Sequence, residues 1–372
     1  MRLLDRYLLR EFVVPFAYCL VGFLIFWVSS ELFQELSDLQ RDQLTAMEIV
    51  SYYGWKVPEL LLTVLPVALL LSLLYALTQH ARHHELTAIR AAGVSLWRLS
   101  LPYFLVGLVC SVWLFVLSEV WGPRSQEEAA RIRKSHQPQA AYLNSRHIKN
   151  FGFPSGLGRV WQADTYDLET GDMATVHVGW KRADGVRREI VARRGEWSDG
   201  GWVFIDAVDT WFSNAPSVFP FRVVTPRLDV EELSETPSQI RAALKINELF
   251  SNPRQAAKRP QLSLREILDY RRIYPNEVRN RSALLTQLHG RLAGPFTCLV
   301  VVVIAIPFGS MSGRRNAFVG VASSVFICFA YFVILRFGLT LGTGGRIAPW
   351  LAAWGPNLFF GGLGLMLMAR LR

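Results

Sequence analysis

The sequence predicts an α-helical membrane protein with six transmembrane helices and one β domain inserted between them outside the cytoplasm. Three observations predict this fold class. Of the 372 residues, 51% are hydrophobic and the mean hydropathy is +0.23, which is too apolar for an ordinary soluble domain. Six apolar stretches approach the roughly 20 residues that cross a hydrocarbon core. The segment between the third and fourth stretches alternates apolar and polar residues, as half-buried strands do.

The predicted spans are long and nearly free of charged residues. Only the second contains a charged residue, Glu59, near one end. The first is longer than the apolar part of a cleaved signal peptide, and no small-residue cleavage site follows it, so we expect a signal anchor. The six predicted spans cover residues 12–30, 57–78, 99–117, 292–311, 317–335 and 347–369.

Arginines alternate between the two ends of the spans and predict the orientation of the chain. The positive-inside rule places the arginine-bearing ends in the cytoplasm. All six spans then agree on cytoplasmic termini, and the net charge of +10 indicates topology rather than nucleic-acid binding. These residues are Arg2, Arg6 and Arg10 before span one, Arg82, Arg90 and Arg98 after span two, Arg314 and Arg315 after span four, and Arg370 and Arg372 after span six.

The segment after span three predicts a polar helix and then an antiparallel sheet. We expect span three to continue as a helix over residues 122–136, with strands over residues 142–230. Asp199-Gly200 predicts the turn of a hairpin. A later helix is expected to begin after Ser263, which forms a capping box with Glu266. The apolar interior of the sheet is expected to include Val176, Val178, Val203 and Ile205.

The sequence lacks the motifs of common hydrolases. A P-loop needs Gly-Lys-Ser/Thr because its lysine reaches the nucleotide phosphates, and the chain has no Gly-Lys pair. Neither H-E-x-x-H nor G-x-S-x-G is present. We therefore expect no enzymatic activity, no metal and no cofactor in this chain. The four cysteines fall within predicted spans and indicate no disulfide framework: Cys19, Cys110, Cys298 and Cys328.

The polar segment between spans two and three, QHARHHELTAIRAAGVSLWRL, is the first candidate site. We expect a helix over residues 79–96, with its histidines on a solvated face rather than around a metal. Glu85 has two interpretations: a surface pair with Arg82 three residues earlier, or a contact with a cytoplasmic partner. Leu86 and Ile89 would give that partner an apolar anchor.

Charges near the opposite ends of the spans form the second set of candidates. Ionisable groups at such depth either snorkel to the interface or face a cavity. The candidates lie at or near the outer ends of spans one, two and five: Glu31, Lys56, Glu59 and Arg336. Arg336 is the best candidate for function, because a guanidinium can hold a phosphate with two hydrogen bonds.

Four motifs, in order around a β domain, resemble the LptF/LptG (YjgP/YjgQ) family of lipopolysaccharide export permeases. They cover nearly the whole chain. The motifs are LDRYLLREF at residues 4–12, ELTAIRAAGVSLWRL at 85–99, HGRLAGPFTCLVVVVIAIPFG at 289–309 and AAWGPNLFFGGLGL at 352–365.

The resemblance implies an inner-membrane subunit of an ABC transporter. Such a permease pairs with a second permease, LptF with LptG, and binds an LptB ATPase dimer in the cytoplasm. The family's external domain resembles a periplasmic β-jellyroll that passes lipopolysaccharide to LptC, and spans one and five form lateral gates. The helix after span two would be the coupling helix, and the implied coupling residues are Glu85, Leu86, Ile89, Arg90 and Gly93.

The motif LDRY near the start of the chain is more similar to the LptG type than to the LptF type. One feature of span one differs from LptG relatives. LptG relatives can carry lysines near the outer end of span one that meet lipid A phosphates. This chain has Glu31, Glu35 and Asp38 there. Phosphate contacts are therefore assigned to Arg41, Lys56 and Arg336, or to the second permease.

The predicted organisation is spans one to three in residues 1–121, the periplasmic domain in residues 122–285 and spans four to six in residues 286–372. The leading function is a permease subunit that extracts lipopolysaccharide from the inner membrane and passes it to a periplasmic bridge. One alternative is a membrane scaffold or sensor that transports nothing. A macrolide-exporter-like permease is less consistent, because its large domain follows the first span.

Overall fold

A computed structural model of the chain divides into two compact units. The first, the membrane unit, comprises residues 1–136 and 281–372, and the second, the β unit, comprises residues 137–280. The polar helix after span three therefore belongs with the membrane helices. The structure describes residues 3–134, 147–182, 185–212, 219–251, 262–275, 281–310 and 317–370. Arg2, Arg314, Arg315 and Arg372 of the orientation argument lie outside these ranges.

Among the described residues, the membrane unit contains six helices that are long and apolar enough to span a membrane, which agrees with the predicted number. The first five exceed the length of their predicted apolar cores, because backbone hydrogen bonding continues into flanking residues, and the sixth, of 22 residues, matches its predicted length to within one residue. The helices are α1 (Leu3–Arg41), α2 (Ala46–Arg82), α3 (Glu85–Ala91), α4 (Leu96–Val116), a π-helical segment (Leu117–Trp121), α5 (Gly122–Lys134), α8 (Arg281–Ala293), a 3₁₀ turn (Gly294–Phe296), α9 (Thr297–Ser310), α10 (Ala317–Thr343) and α11 (Pro349–Arg370). Helices α6 and α7 belong to the β unit and are described with it below.

The spans differ greatly in how much of their apolar surface the chain itself covers. In span four, which is formed by α8 and α9, 72% of the most apolar segment is buried within the chain. In α1, 6% of the corresponding segment is buried. Small residues let other helices approach α9, since a Cβ at Gly364 would lie 2.6 Å from Val303. The central helix of this unit is thus α9, and α1 is peripheral.

Polar groups hold the two irregular helical segments in place. Arg291 donates to the Ser118 carbonyl oxygen at 3.0 Å and pairs with Glu119 at 2.8 Å, so the π-helical segment is tied to α8. At the 3₁₀ turn, the Asn357 amide donates to the Ala293 carbonyl oxygen at 2.9 Å. Both contacts satisfy carbonyls where regular helical hydrogen bonding is interrupted.

The β unit is built on one open antiparallel sheet whose strands follow sequence order. This meander confirms the predicted antiparallel sheet, but the described strands lack the Greek-key connections of a jellyroll. Asp199 and Gly200, with φ of 52° and 83°, form the predicted two-residue turn. The strands are β1 (His147–Pro154), β2 (Arg159–Asp167), β3 (Met173–Lys181), β4 (Arg187–Ser198), β5 (Gly201–Phe212) and β6 (Phe221–Val230).

One face of the sheet forms the apolar core. The residues on this face agree with the prediction in β3 but not in β5. Val176 and Val178 are fully buried there, as expected. Val203 and Ile205 lie on the opposite face, because Trp202 and Phe204, both fully buried, form the core side of β5. Val203 is nevertheless buried on that face, whereas Ile205 is partly exposed. The apolar runs in β5 cover both faces of the strand, so alternation alone did not identify the core side.

Two helices complete the β unit, α6 (Pro237–Ser251) and α7 (Leu264–Ile273). The predicted capping box is present at α7, where Ser263 accepts from the Glu266 backbone N–H and Glu266 accepts from that of Ser263. The Trp202 indole N–H donates to the Glu235 carbonyl oxygen just before α6. The core face of the sheet is therefore covered within the chain rather than left open.

Candidate functional site

The segment between spans two and three is shorter and more sharply bounded than predicted. Gln79 to Arg82 continue α2, so the separate helix is α3, of seven residues, and not the expected helix over residues 79–96. His84, with a left-handed φ of 58°, separates α3 from the end of α2. Gly93, with φ of 82°, ends α3 in a Schellman motif in which Val94 N–H donates to the Ile89 carbonyl oxygen. Gly93 is needed for that turn.

Glu85, the first residue of α3, binds side chains from two spans. The Tyr7 hydroxyl of α1 donates to its two carboxylate oxygens at 3.2 and 3.1 Å. Nδ1 of His80, near the end of α2, lies 2.7 Å from Oε2. Tyr7, His80 and Glu85 are called the Glu85 cluster below. This arrangement replaces the predicted surface pair with Arg82.

The hydrogen bonds in the Glu85 cluster favour an ionised carboxylate. Burial opposes ionisation of Glu85, but hydrogen bonds from His80 and Tyr7 outweigh burial and lower the pKa of the carboxyl below its usual value. Because an ionised carboxylate only accepts hydrogen bonds, Nδ1 of His80 carries the shared proton. The imidazole is 4% exposed and its Nε2 has no hydrogen-bond partner within the described part of the chain. His80 is therefore buried, and the prediction that it lies on a solvated face was wrong.

The implied coupling residues divide into an inward and an outward set. Leu86 is 5% exposed and belongs to the apolar core of the membrane unit, and Ile89 packs against that core. Both therefore anchor α3 to its own chain. Arg90 and Gly93 are exposed. The face of α3 that is open to a partner is polar and small rather than apolar.

A second polar contact links the start of α1 to the segment after α3. Arg98, in the first turn of α4, pairs with Asp5 at 2.9 Å. The partners Asp5, Tyr7 and His80 were all missed by the sequence analysis. His80 precedes Glu85 by only five residues, so its proximity could have been inferred from the local sequence. Tyr7 lies 78 residues away, and no local pattern indicates that it contacts Glu85.

The other end of α1 carries the Lys56 cluster, defined as Glu31, Glu35, Tyr52 and Lys56. The Lys56 ammonium lies 2.6 Å from Glu31 and 3.4 Å from Glu35. The Tyr52 hydroxyl donates to Glu35 at 3.0 Å. Two carboxylates therefore face one ammonium, and the lysine that was assigned to lipid phosphate is already neutralised by its own chain.

Beside this cluster, α5 is tied to the end of α1. Arg133 binds Asp42 at 2.9 Å and Asp38 at 3.3 Å. Asp38 was one of the acidic residues that set this chain apart from LptG relatives, and here it has a structural partner. Arg41, in the last turn of α1, is exposed.

Arg336 lies on the exposed surface of α10, within the span from Val325 to Thr343. Its neighbours along a shallow surface are Phe332, Val333 and Phe337. A guanidinium among apolar side chains within a spanning helix favours an anion as a partner. The structure does not bring Arg336 together with Lys56 or Arg41 in one described site.

The described residues contain no group of three or more histidine, cysteine or acidic side chains placed to hold a metal ion.

Comparisons with known proteins agree with this architecture. Residues 6–370 match the model of the family described as lipopolysaccharide export system permease LptF/LptG. The chain is 20% identical, over 97% of its own length and 93% of the relative's, to lipopolysaccharide export system permease protein LptF of Escherichia coli strain K12. The LptF protein of Shigella flexneri gives the same values. These matches do not distinguish the two permease types, so the lean toward LptG stays a prediction.

Proposed function

Because the chain belongs to the LptF/LptG family of lipopolysaccharide export permeases, we propose that it passes motion from a cytoplasmic ATPase to a lipid path. With six apolar helices and this family, it is a multi-pass protein of the inner membrane. The proposed partners are an LptB-like ATPase dimer, a second LptF/LptG-type permease and an LptC-like periplasmic protein. In the proposed orientation both termini are cytoplasmic and the β unit is periplasmic.

The observation that supports ATPase coupling is the construction of α3. It is a short helix between two spans, with Thr87, Ala88 and Arg90 exposed and Leu86 inserted into the core. A partner pressing on the exposed face would therefore displace side chains that are packed inside the membrane unit. Interiors are close-packed and transmit such displacements.

The lipid-phosphate role is proposed for Arg336 first and Arg41 second. Lys56 is a weaker candidate, because phosphate would have to compete with two carboxylates for one ammonium. Arg336 is exposed among apolar side chains, so the acyl chains of a lipid and its phosphate would both find matching surface. Replacement of Arg336 by Gln should lower the amount of co-purified lipid, whereas Arg346→Gln, an exposed arginine just beyond α10, should leave it unchanged.

The proposed function is tested by reconstitution with the partners. The chain is co-expressed with its ATPase and second permease, the co-purified proteins and lipid are identified by mass spectrometry, and ATP-driven lipid release is measured in proteoliposomes. Glu85→Lys removes the carboxylate that binds Tyr7 and His80, and a hydrogen bond to a charged group contributes about 1.5–3 kcal/mol. The variant should therefore weaken ATPase association or lipid release at least about tenfold.

Glu231→Lys provides a matched control, because it reverses an exposed carboxylate in the β unit. That variant should assemble and transport as the wild type does. Absence of ATP-driven lipid release by the wild-type complex would contradict the proposed function. Normal assembly and release by Glu85→Lys would contradict the assignment of α3 as the coupling element.

A further inference from the structure

The Glu85 carboxylate joins three elements of one chain at one end of the membrane unit. It belongs to α3, and its two hydrogen-bond donors belong to α1 and α2. A residue whose only task was to face a partner protein would point away from its own helices. The carboxylate is instead turned inward, with its side chain 33% exposed.

The helix that carries Glu85 depends on such contacts. A helix of seven residues is far below the roughly 12–15 residues at which an isolated helix becomes marginally stable. Left-handed residues bound it on both sides, His84 with φ of 58° and Gly93 with φ of 82°. The orientation of α3 is therefore set by side-chain contacts, namely the packing of Leu86 and the hydrogen bonds of Glu85.

Tyr7 belongs to α1, which has the lowest buried fraction of the six described spans. Only 6% of the apolar window of α1 is buried within the chain. Leu8, directly after Tyr7, and Phe12, five residues after it, are buried against the core. The fully buried part of α1 at this end is thus a short stretch next to α3. Farther along α1, Phe16 and Leu20 are only partly buried against the core, and Val21, Ile25 and Phe26 are exposed.

We propose that Tyr7 and His80 are positioning residues that hold Glu85 and thereby transmit displacement of α3 to α1. His80 fixes the carboxylate relative to the end of α2, and Tyr7 passes its movement to α1. This inference rests on the proposed function, since it concerns how ATPase motion reaches the lipid path. It assigns no ATPase contact to Tyr7 or His80.

The test removes single hydrogen bonds and measures coupling. Tyr7→Phe keeps the ring and deletes the hydroxyl, and His80→Leu deletes the imidazole donor. In the reconstituted complex, lipid released per ATP hydrolysed should fall by about tenfold in each variant, the factor expected for a lost hydrogen bond to a charged group. ATPase co-purification should remain at the wild-type level.

Two further variants separate positioning from general stability. His80→Gln restores an N–H donor and should recover most of the lipid released per ATP. Tyr18→Phe deletes the hydroxyl of an exposed tyrosine on the same helix and should match the wild type. The double variant Tyr7→Phe/His80→Leu should lose less than the product of the two single losses, because both act through one carboxylate.

Several outcomes would overturn the inference. Wild-type lipid release per ATP in both Tyr7→Phe and His80→Leu would show that the Glu85 cluster only stabilises the fold. Loss of the ATPase from the Tyr7→Phe complex would place Tyr7 in the docking surface instead. If the wild-type complex itself released no lipid with ATP, the proposed function would fail, which is distinguishable from failure of the positioning role alone.

Discussion

The two ends of α1 are both fastened by hydrogen-bonded charges, but to elements of very different kind. At the Glu85 end, Tyr7 binds a carboxylate on a helix of seven residues that is bounded by two left-handed turns. At the Lys56 end, Glu31 and Glu35 bind an ammonium on a span of 37 residues.

This difference indicates which end of α1 can move. A long span packed into the membrane unit gives a fixed point, whereas α3 keeps its orientation only through side-chain contacts. The account therefore predicts that α1 shifts at its Glu85 end, which is the proposed cytoplasmic end, while its Lys56 end stays in place. Helix movement of this kind is a common form of conformational transition.

The largest expected effect comes from removing the cation of the Lys56 cluster. Lys56→Met would leave the carboxylates of Glu31 and Glu35 close together and unneutralised, at an expected cost of about 3 kcal/mol. Thermal unfolding of the purified chain in detergent should show a clear fall in Tm. Lys181→Met, which removes an exposed lysine of β3, should leave Tm unchanged. An unchanged Tm in Lys56→Met, together with lost lipid, would make Lys56 a lipid ligand instead of a structural cation.

A smaller effect is expected at the contact between α5 and α1. Arg133→Ala removes hydrogen bonds to Asp42 and Asp38, which should lower the free energy of unfolding by about 1.5 kcal/mol. Arg131→Ala on the same helix removes only an exposed pair with Glu128 and should cost less than about 0.5 kcal/mol. Equal losses in the two variants would mean that Arg133 contributes no special attachment.

The smallest effect on stability is expected at the start of α1. Asp5→Asn weakens the pair with Arg98, a partly exposed contact worth about 0.5–1 kcal/mol. The loss should shrink at high salt, because ions screen exposed charges. Glu11→Gln removes an exposed carboxylate of the same helix and serves as the control. A loss above that of Arg133→Ala would contradict the ranking of the two ends.

Sequence analysis recovered the features that depend on local patterns. Hydropathy alone identified the six spans, and Asp199-Gly200 and Ser263 identified a turn and a helix start, because each signal lies within a few consecutive residues. The core side of β5 was wrong because Trp202, Val203, Phe204 and Ile205 are all apolar and carry no alternation.

The candidate site was predicted only in part, for a physical reason. Glu85 was selected from its position between spans, but its partner Tyr7 is set by how α1 packs, and no local pattern encodes that. Lys56 was chosen as a phosphate candidate because span one carries acidic residues where LptG relatives can carry lysines. Its pairing with Glu31 and Glu35 depends on how two helices pack, so no local pattern indicated it. The predicted helix over residues 79–96 missed the left-handed conformation of His84, which a histidine adopts uncommonly and a sequence pattern does not announce.

Distance measurements between spin labels test the central claim most directly. One pair, at Leu3 on α1 and Met366 on α11, reports the Glu85 end, and a second pair, at Phe33 and Val50, reports the Lys56 end; all four positions are exposed. In the reconstituted complex, ATP with vanadate should shift the first distance distribution and leave the second at its original mean, and Tyr7→Phe should abolish the shift. A shift confined to the second pair, or an equal shift of both pairs, would contradict the account.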